Sequence, residues 1–291
     1  MKNLSLTVVA CLLVLWGFTA CGGNKAQMQK RLSKAEKARL DSIDREAFKV
    51  GVMPTLDCLP LFVAKQEHLF DTLGVDVHLK PFTAQMDCDT ALLRQRVEGS
   101  ITDLKRVEEM QKQGLALVTP IKAETSWQLI SNKRARISQL KQLSDKMIAI
   151  TRNSATDYLA TLAIDSAKPK YDVYRVQIND VNIRLRMLLN NEMDAVLLPE
   201  PQATRARLDG HEVLMDTQKK NIHLGVFAFR TKALNDERRK KQLQLFTRAY
   251  NMAVDSINKN GVQAYANLLH QWCGADEKTI KALPKTKFKK Q

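Results

Sequence analysis

The chain has 291 residues, of which 44% are hydrophobic and 26% charged, and a formal net charge of +15. That balance excludes a disordered chain, and the length suits one large domain or two small ones with real cores. The basic surplus would attract nucleic acid, anionic lipid or anionic solutes. It is spread over Lys25 to Arg39, Arg238 to Lys241 and Lys285 to Lys290, which reads mainly as a solvated basic surface.

Met1-Lys2-Asn3 supplies one positive charge, Leu4 to Phe18 is mostly apolar and uncharged, and Thr19-Ala20 are small. This is the layout of a secretory signal peptide over 1–20. The apolar run falls short of the ~20 residues that span a bilayer. Phe18-Thr19-Ala20-Cys21 resembles the bacterial lipobox, whose cysteine is lipidated, although Phe18 stands where that motif usually has Leu. The expectation is an exported chain, held to a bacterial membrane by acyl chains on Cys21, with its body facing the periplasm. Export argues against nucleic acid as a partner. Cys11 leaves with the signal and Cys21 takes the lipid, so Cys58, Cys88 and Cys273 remain for an oxidising compartment.

Residues 22–45 are polar and read as a tether with some helical character; folded sequence begins near Phe48. Phe48 to Met53 reads as a strand, Leu59 to Leu69 as a helix and Val75 to Leu79 as a strand. Asp89 is expected to cap a helix through Val97, which Gly99 ends. A short strand follows at Ser100 to Thr102, then a helix carrying Leu104, Val107 and Met110, then strands at Leu115 to Ile121 and Trp127 to Ser131. A second run begins near Ile137 with a helix through Leu143, a strand at Met147 to Thr151 and a helix started by Ser154. Strands at Val173 to Ile178, Ala195 to Leu198 and Glu212 to Met215 flank a helix capped by Asp180. Ile222 to Phe229 is a further strand, followed by helical stretches at Asp236 to Asn260 and Val262 to Trp272. The alternation predicts α/β architecture with mainly parallel strands.

Four stretches in this order resemble the periplasmic solute-binding proteins of ABC importers, in the group handling nitrate, sulfonates, taurine and thiamine-pyrimidine precursors. They are GVMPTLDCLPLFVAKQEHLF, VDVHLKPFTAQMDCDTALLRQRVEGSITDL, ISQLKQLSDKMIAITRNSATDYL and VNIRLRMLLNNEMDAVLLPEPQATRA. Thr102 stands where that family often has Asp, Asn191 where it often has Gly, and Phe70 lacks the preceding Gly. The resemblance implies a two-lobe, type II periplasmic-binding-protein-like α/β fold with a hinge and an interlobe cleft. It divides the chain into a signal peptide (1–20), a lipidated tether (21–47), the first part of lobe 1 (48–127), lobe 2 (128–217) and a lobe 1 return with C-terminal helices (218–291). The implied function is capture of a small polar or anionic solute and its delivery to an ABC permease, without catalysis. No cofactor or metal is expected, and the chain is expected to act as a monomer. The alternatives are an enzyme on the same scaffold, of the chorismate dehydratase type in menaquinone synthesis, and a sensor lipoprotein with no transport role.

Ligands of open α/β sheets bind beyond the carboxyl ends of the strands. In lobe 1 that rule selects Thr55 and Asp57 after the first strand, Gln85 and Asp87 after the second, and the Thr102-Asp103 end of the third, with Thr102 taken as a candidate. Ser126 and Trp127 fall near the hinge. In lobe 2 it selects Asn153, Ser154 and Thr156, the Asn179-Asp180 pair with Asp180 as candidate, and Glu200. Ser154 at a helix start suits either plain capping or capping with an anionic or carbonyl ligand. Asp57, Asp87 and Glu200 would suit an amine or ring N–H, and set the loop chemistry against the basic net charge. Pro199 and Pro201 fix the backbone around Glu200, as a solute contact or as a stiff turn. Cys58 and Cys88 follow adjacent strands, so a disulfide could brace two cleft loops for about 3–4 kcal/mol; two reduced thiols are the alternative. The five histidines show no metal-binding spacing, and Ser138–Lys141 and Ser256–Lys259 match S-x-x-K without its companion motifs.

Overall fold

A computed structural model describes residues 34–291. The expected signal peptide and Cys21 lie outside the described residues. The chain divides into two units, Met1–Arg45 and Glu46–Gln291. Helix α1 (Lys34–Glu46) is the described part of the first; Glu36 near its start and Arg45 near its end both suit the helix dipole.

The second unit holds two five-stranded sheets. The first contains β1 (Phe48–Val52), β2 (Val77–Pro81), β3 (Gly99–Asp103), β4 (Leu117–Lys122) and β10 (Gly225–Arg230), in the order β2-β1-β3-β10-β4. The second contains β5 (Trp127–Ser131), β6 (Met147–Ile150), β7 (Tyr174–Gln177), β8 (Ala195–Pro199) and β9 (Glu212–Asp216), in the order β7-β6-β8-β5-β9. The pattern is the same twice. Three parallel strands stand in the order second, first, third, and an antiparallel strand is wedged beside the third. Each sheet is therefore mainly parallel, with one strand running against the other four. This is a two-lobe α/β fold of the type II periplasmic-binding-protein kind.

Helices follow the strands. They are α2 (Leu59–Gln66), α3 (Leu69–Thr72), α4 (Gln85–Leu93), α5 (Leu104–Lys112), α6 (Ala155–Ala167), α7 (Val181–Leu189), α8 (Gln202–Leu208), α9 (Thr231–Leu234), α10 (Glu237–Asn260), α11 (Ala266–Cys273) and α12 (Glu277–Ala282). Among the described residues no helix is long and apolar enough to cross a membrane. The central strands β3 and β8 are buried along their whole length, as expected where helices cover both faces. Helix α10 shows how the sequence positions the core. Asp236 caps it by accepting from the Arg238 and Arg239 N–H groups. Phe246, Ala249, Tyr250, Ala253, Val254 and Ile257 recur on one face and are all buried. The Phe246 ring lies 5.6–5.8 Å from those of Phe48, Phe70 and Phe229.

Two local expectations change. Helix α4 begins at Gln85, so Asp89 is not a cap. It lies buried inside the helix, where the Arg106 Nε donates to its Oδ2 at 2.6 Å. Cys58 and Cys88 are free thiols, not a bridge. Cys88 points from α4 toward the Ile101 carbonyl at 3.6 Å, while Cys58 accepts from the Met53 N–H at 3.5 Å. Each sulfur is thus engaged with a different backbone group, Cys88 with β3 and Cys58 with the start of the loop after β1. Burial pushes both thiols well above their ordinary pKa, which keeps them protonated and unreactive.

Gly99 lies opposite Phe229 in the β3–β10 ladder, and a Cβ there would come 2.2 Å from the Phe229 ring. Gly99→Ala should therefore cost about 1–3 kcal/mol by overpacking, read as a lower urea midpoint. Phe229→Leu should remove part of that penalty, so the double variant should be non-additive.

Candidate functional site

The carboxyl ends of the strands in both sheets face one cavity of about 50 Å³. The first lobe contributes Met53, Thr55 and Asp57 after β1, Gln85 after β2, and Ile101, Thr102 and Asp103 from β3. The second contributes Trp127 from β5, Thr151, Ser154 and Thr156 after β6, Asn179 after β7, Arg184 on α7 and Pro199 at the end of β8. Thr125, in the segment joining β4 to β5, completes the wall.

Asp57 occupies a short 3-10 turn, Leu56–Cys58, and is 4% exposed. Its Oδ1 accepts from the Thr55 hydroxyl at 2.5 Å, and its Oδ2 accepts from the Thr125 hydroxyl. Burial raises its pKa, and hydrogen bonds from the two threonines and the local backbone oppose that only in part. Gly225 allows this arrangement, since a Cβ there would meet the Thr125 Oγ1 at 2.1 Å.

Asp103 caps its own helix, accepting from the Arg106 N–H at 3.0 Å. Across the cleft it faces the start of α6 at Ala155. Desolvation pushes its pKa up to about 7, and the backbone N–H groups at Ala155 and Arg106 pull the other way. Beside it, the buried Arg106–Asp89 pair is completed by Thr102 and Gln85, which donate to Asp89 Oδ1 at 3.2 and 3.0 Å. Arg106 Nη1 then donates across the cleft to the Arg152 carbonyl at 3.4 Å.

Arg184 is the one basic side chain of the cavity wall, 3% exposed. It makes four hydrogen bonds: two to the Ile178 carbonyl, one to the Leu197 carbonyl at 2.7 Å and one to the Thr151 hydroxyl at 2.8 Å. Burial lowers its pKa to about 10, with Asp180 acting in the opposite direction. Further bonds tie the lobes together. Val181 N–H donates to the Thr83 carbonyl at 3.2 Å, Leu56 N–H to the Glu200 carbonyl at 2.8 Å and Gln202 Nε2 to the Pro54 carbonyl at 2.9 Å.

Of the residues singled out from sequence, Thr55, Asp57, Gln85, Thr102, Trp127, Ser154 and Thr156 line this cavity. Ser154 Oγ accepts from the Thr156 N–H at 3.1 Å and donates to the Thr151 carbonyl at 2.6 Å, while Thr156 Oγ1 accepts from the Thr151 N–H at 2.8 Å. Asp87, Asn153, Asp180, Ser126 and Glu200 do not line it. Asp87 and Asn153 are exposed. Asp180 caps α7 through the Asn182 and Ile183 N–H groups. Ser126 and Glu200 border a smaller recess of about 10 Å³ on the hinge side. Glu200 is paired with Arg207 at 2.8 Å and accepts from the Thr204 N–H and hydroxyl at 2.9 and 2.7 Å, so its carboxylate is held by α8. Sequence reasoning missed Thr125, Thr151 and Arg184. Arg184 carried a usable signal: it falls three residues after Val181 and four before Leu188, on the buried stripe of α7.

The state of Asp103 has a pH consequence. Its folded-state pKa is raised, so its contribution to stability is fully kept below the ordinary carboxylate range and is lost as pH climbs through about 7. Asp103→Asn keeps an acceptor for the Arg106 N–H and removes the titration. The variant should lose less stability than the parent between pH 5 and pH 8, measured as urea midpoints at each pH.

The alkanesulfonate-binding protein SsuA from Xanthomonas axonopodis pv. citri, bound to MOPS, superposes with a TM-score of 0.70 at 16% identity, over 83% of this chain and 86% of that one. The periplasmic nitrate-binding protein NrtA from Synechocystis PCC 6803 gives 0.69 at 13% identity, over 80% and 68%. The ligand-binding component of an ABC-type import system from Staphylococcus aureus, with zinc bound, gives 0.68 at 15% identity, over 80% and 81%. These likenesses establish the shared fold. No curated protein matches the sequence. The family model described as NMT1/THI5 like matches residues 55–264. That span is most of the 291 residues, and the chain belongs to the NMT1/THI5-like family.

Proposed function

We propose that this protein is the solute-binding component of an ABC-type importer, exported and anchored through a lipid on Cys21. The observation that carries the reading is the cavity enclosed between the carboxyl ends of two similar sheets, lined by polar side chains from both lobes. In this reading the lobes separate to admit a small polar solute and close over it, and the solute is released unchanged to a permease. Closure would form the hydrogen bonds from Arg106 to Arg152 and from Val181 to Thr83. Selectivity follows because closing removes water from the wall, so that only a solute matching its buried donors and acceptors compensates their desolvation. The neighbours named for alkanesulfonate and nitrate binding support a receptor on this fold.

Native mass spectrometry of the protein purified from bacterial cells should find a small molecule bound in equimolar amount and lost on unfolding. A thermal shift that saturates with one class of solute, without turnover of that solute, would agree. Conversion of the bound molecule to product would instead support an enzyme. For the anchor, Cys21→Ser should abolish incorporation of labelled palmitate and release the protein from the membrane fraction; unchanged labelling would exclude Cys21 as the acylated residue.

A further inference from the structure

The charges of the cavity wall point to the kind of solute it accepts. An oxyanion receptor needs free donors. The N-terminus of α6 is the natural anion site, yet its Thr156 N–H is already engaged by Ser154, and the Asp103 carboxyl of the opposite lobe faces that helix start. Arg184 directs four hydrogen bonds to groups of its own lobe: the Ile178 and Leu197 carbonyls and the Thr151 hydroxyl. Asp57 is the reverse case. It is a buried carboxylate on the wall, its side-chain partners are two threonine hydroxyls, and among the described residues it forms no ion pair. The nearby Asp89 has its cation in Arg106. Asp57 is thus a wall carboxylate without an ion-pair partner, and one positive charge on a solute would supply it.

We propose that the solute of this receptor carries a protonated nitrogen that pairs with Asp57, so that the site selects small amines or amine-bearing zwitterions and rejects simple oxyanions. The proposal rests on the receptor reading above and names its substrate class. The cavity limits size as well. At this degree of closure about 50 Å³ is open, room for about four water-sized groups, so the cationic head is small.

Three probes of similar size separate the cases: ethanolamine, a cation; taurine, a zwitterion; and ethanesulfonate, an anion. Each is titrated into the full chain at millimolar concentration and followed by thermal shift and by calorimetry. Stabilisation by ethanolamine or taurine, with none by ethanesulfonate, is the expected result. Asp57→Asn keeps an acceptor oxygen for one threonine and offers an N–H donor to the hydroxyl of the other, and it should weaken amine binding at least about thirtyfold, because it removes one partner of a buried charge pair. The parent protein's selectivity is itself decisive if that variant does not fold. Stabilisation by ethanesulfonate and by neither amine would overturn the proposal while leaving the receptor reading in place. No stabilisation by any probe, together with no small molecule released on unfolding the purified protein, would overturn both. Equal amine affinity in the parent and in folded Asp57→Asn would also overturn it.

Discussion

Strand β10 cannot join the first sheet until the chain has passed through the second, and β5 joins the second sheet only after leaving the first. This exchange constrains everything else. Each sheet needs one antiparallel strand from the far side of a crossing, so two covalent segments run between the lobes, at 123–126 and at 217–224. The remaining strands of each sheet run parallel, and their carboxyl ends point at the gap. The cavity is thus a consequence of strand order, and the loops that line it are free to vary without loss of either core.

The wall of that gap is built against the protein's overall charge. A net charge of +15 describes the whole chain, whereas the cavity wall carries carboxylates at Asp57 and Asp103, with Asp89 buried behind it. Each is handled differently. Asp89 has a guanidinium, Asp103 has the N-terminus of α5, and Asp57 has hydroxyls from Thr55 and Thr125. Hydroxyls satisfy lone pairs without cancelling charge, so Asp57 keeps most of its desolvation cost. The same distinction applies to Arg184, whose partners are neutral carbonyls and a hydroxyl. Surface lysines and the buried site therefore answer to separate physics: screened, long-range attraction outside, and short-range hydrogen bonding in a desolvated space inside.

Glu200 and the cysteines show where local reasoning stops. From sequence, Pro199-Glu200-Pro201 holds an acid at a strand end, and either use of it was open. The structure favours the local one, because Thr204 and Arg207 lie one and two turns further along the same segment and close on the carboxylate. Cys58 and Cys88 follow neighbouring strands, but their side chains take different directions, which spacing along the chain does not specify.

The sequence by itself determined the alternation of strands and helices, the capping roles of Ser154 and Asp180, and the buried face of α10, because each depends on residues within a turn or two of one another. It also placed Thr55, Asp57, Gln85 and Thr102 at strand ends, where the carboxyl-edge rule expects a site. Only the tertiary structure decided that Arg106 reaches the Arg152 carbonyl of the other lobe, that Thr125 closes on Asp57 from 68 residues away, and that Arg184 turns inward to the Leu197 carbonyl. Those contacts join different elements of the fold, and their energies come from desolvation and hydrogen-bond geometry that exist only once those elements are packed together.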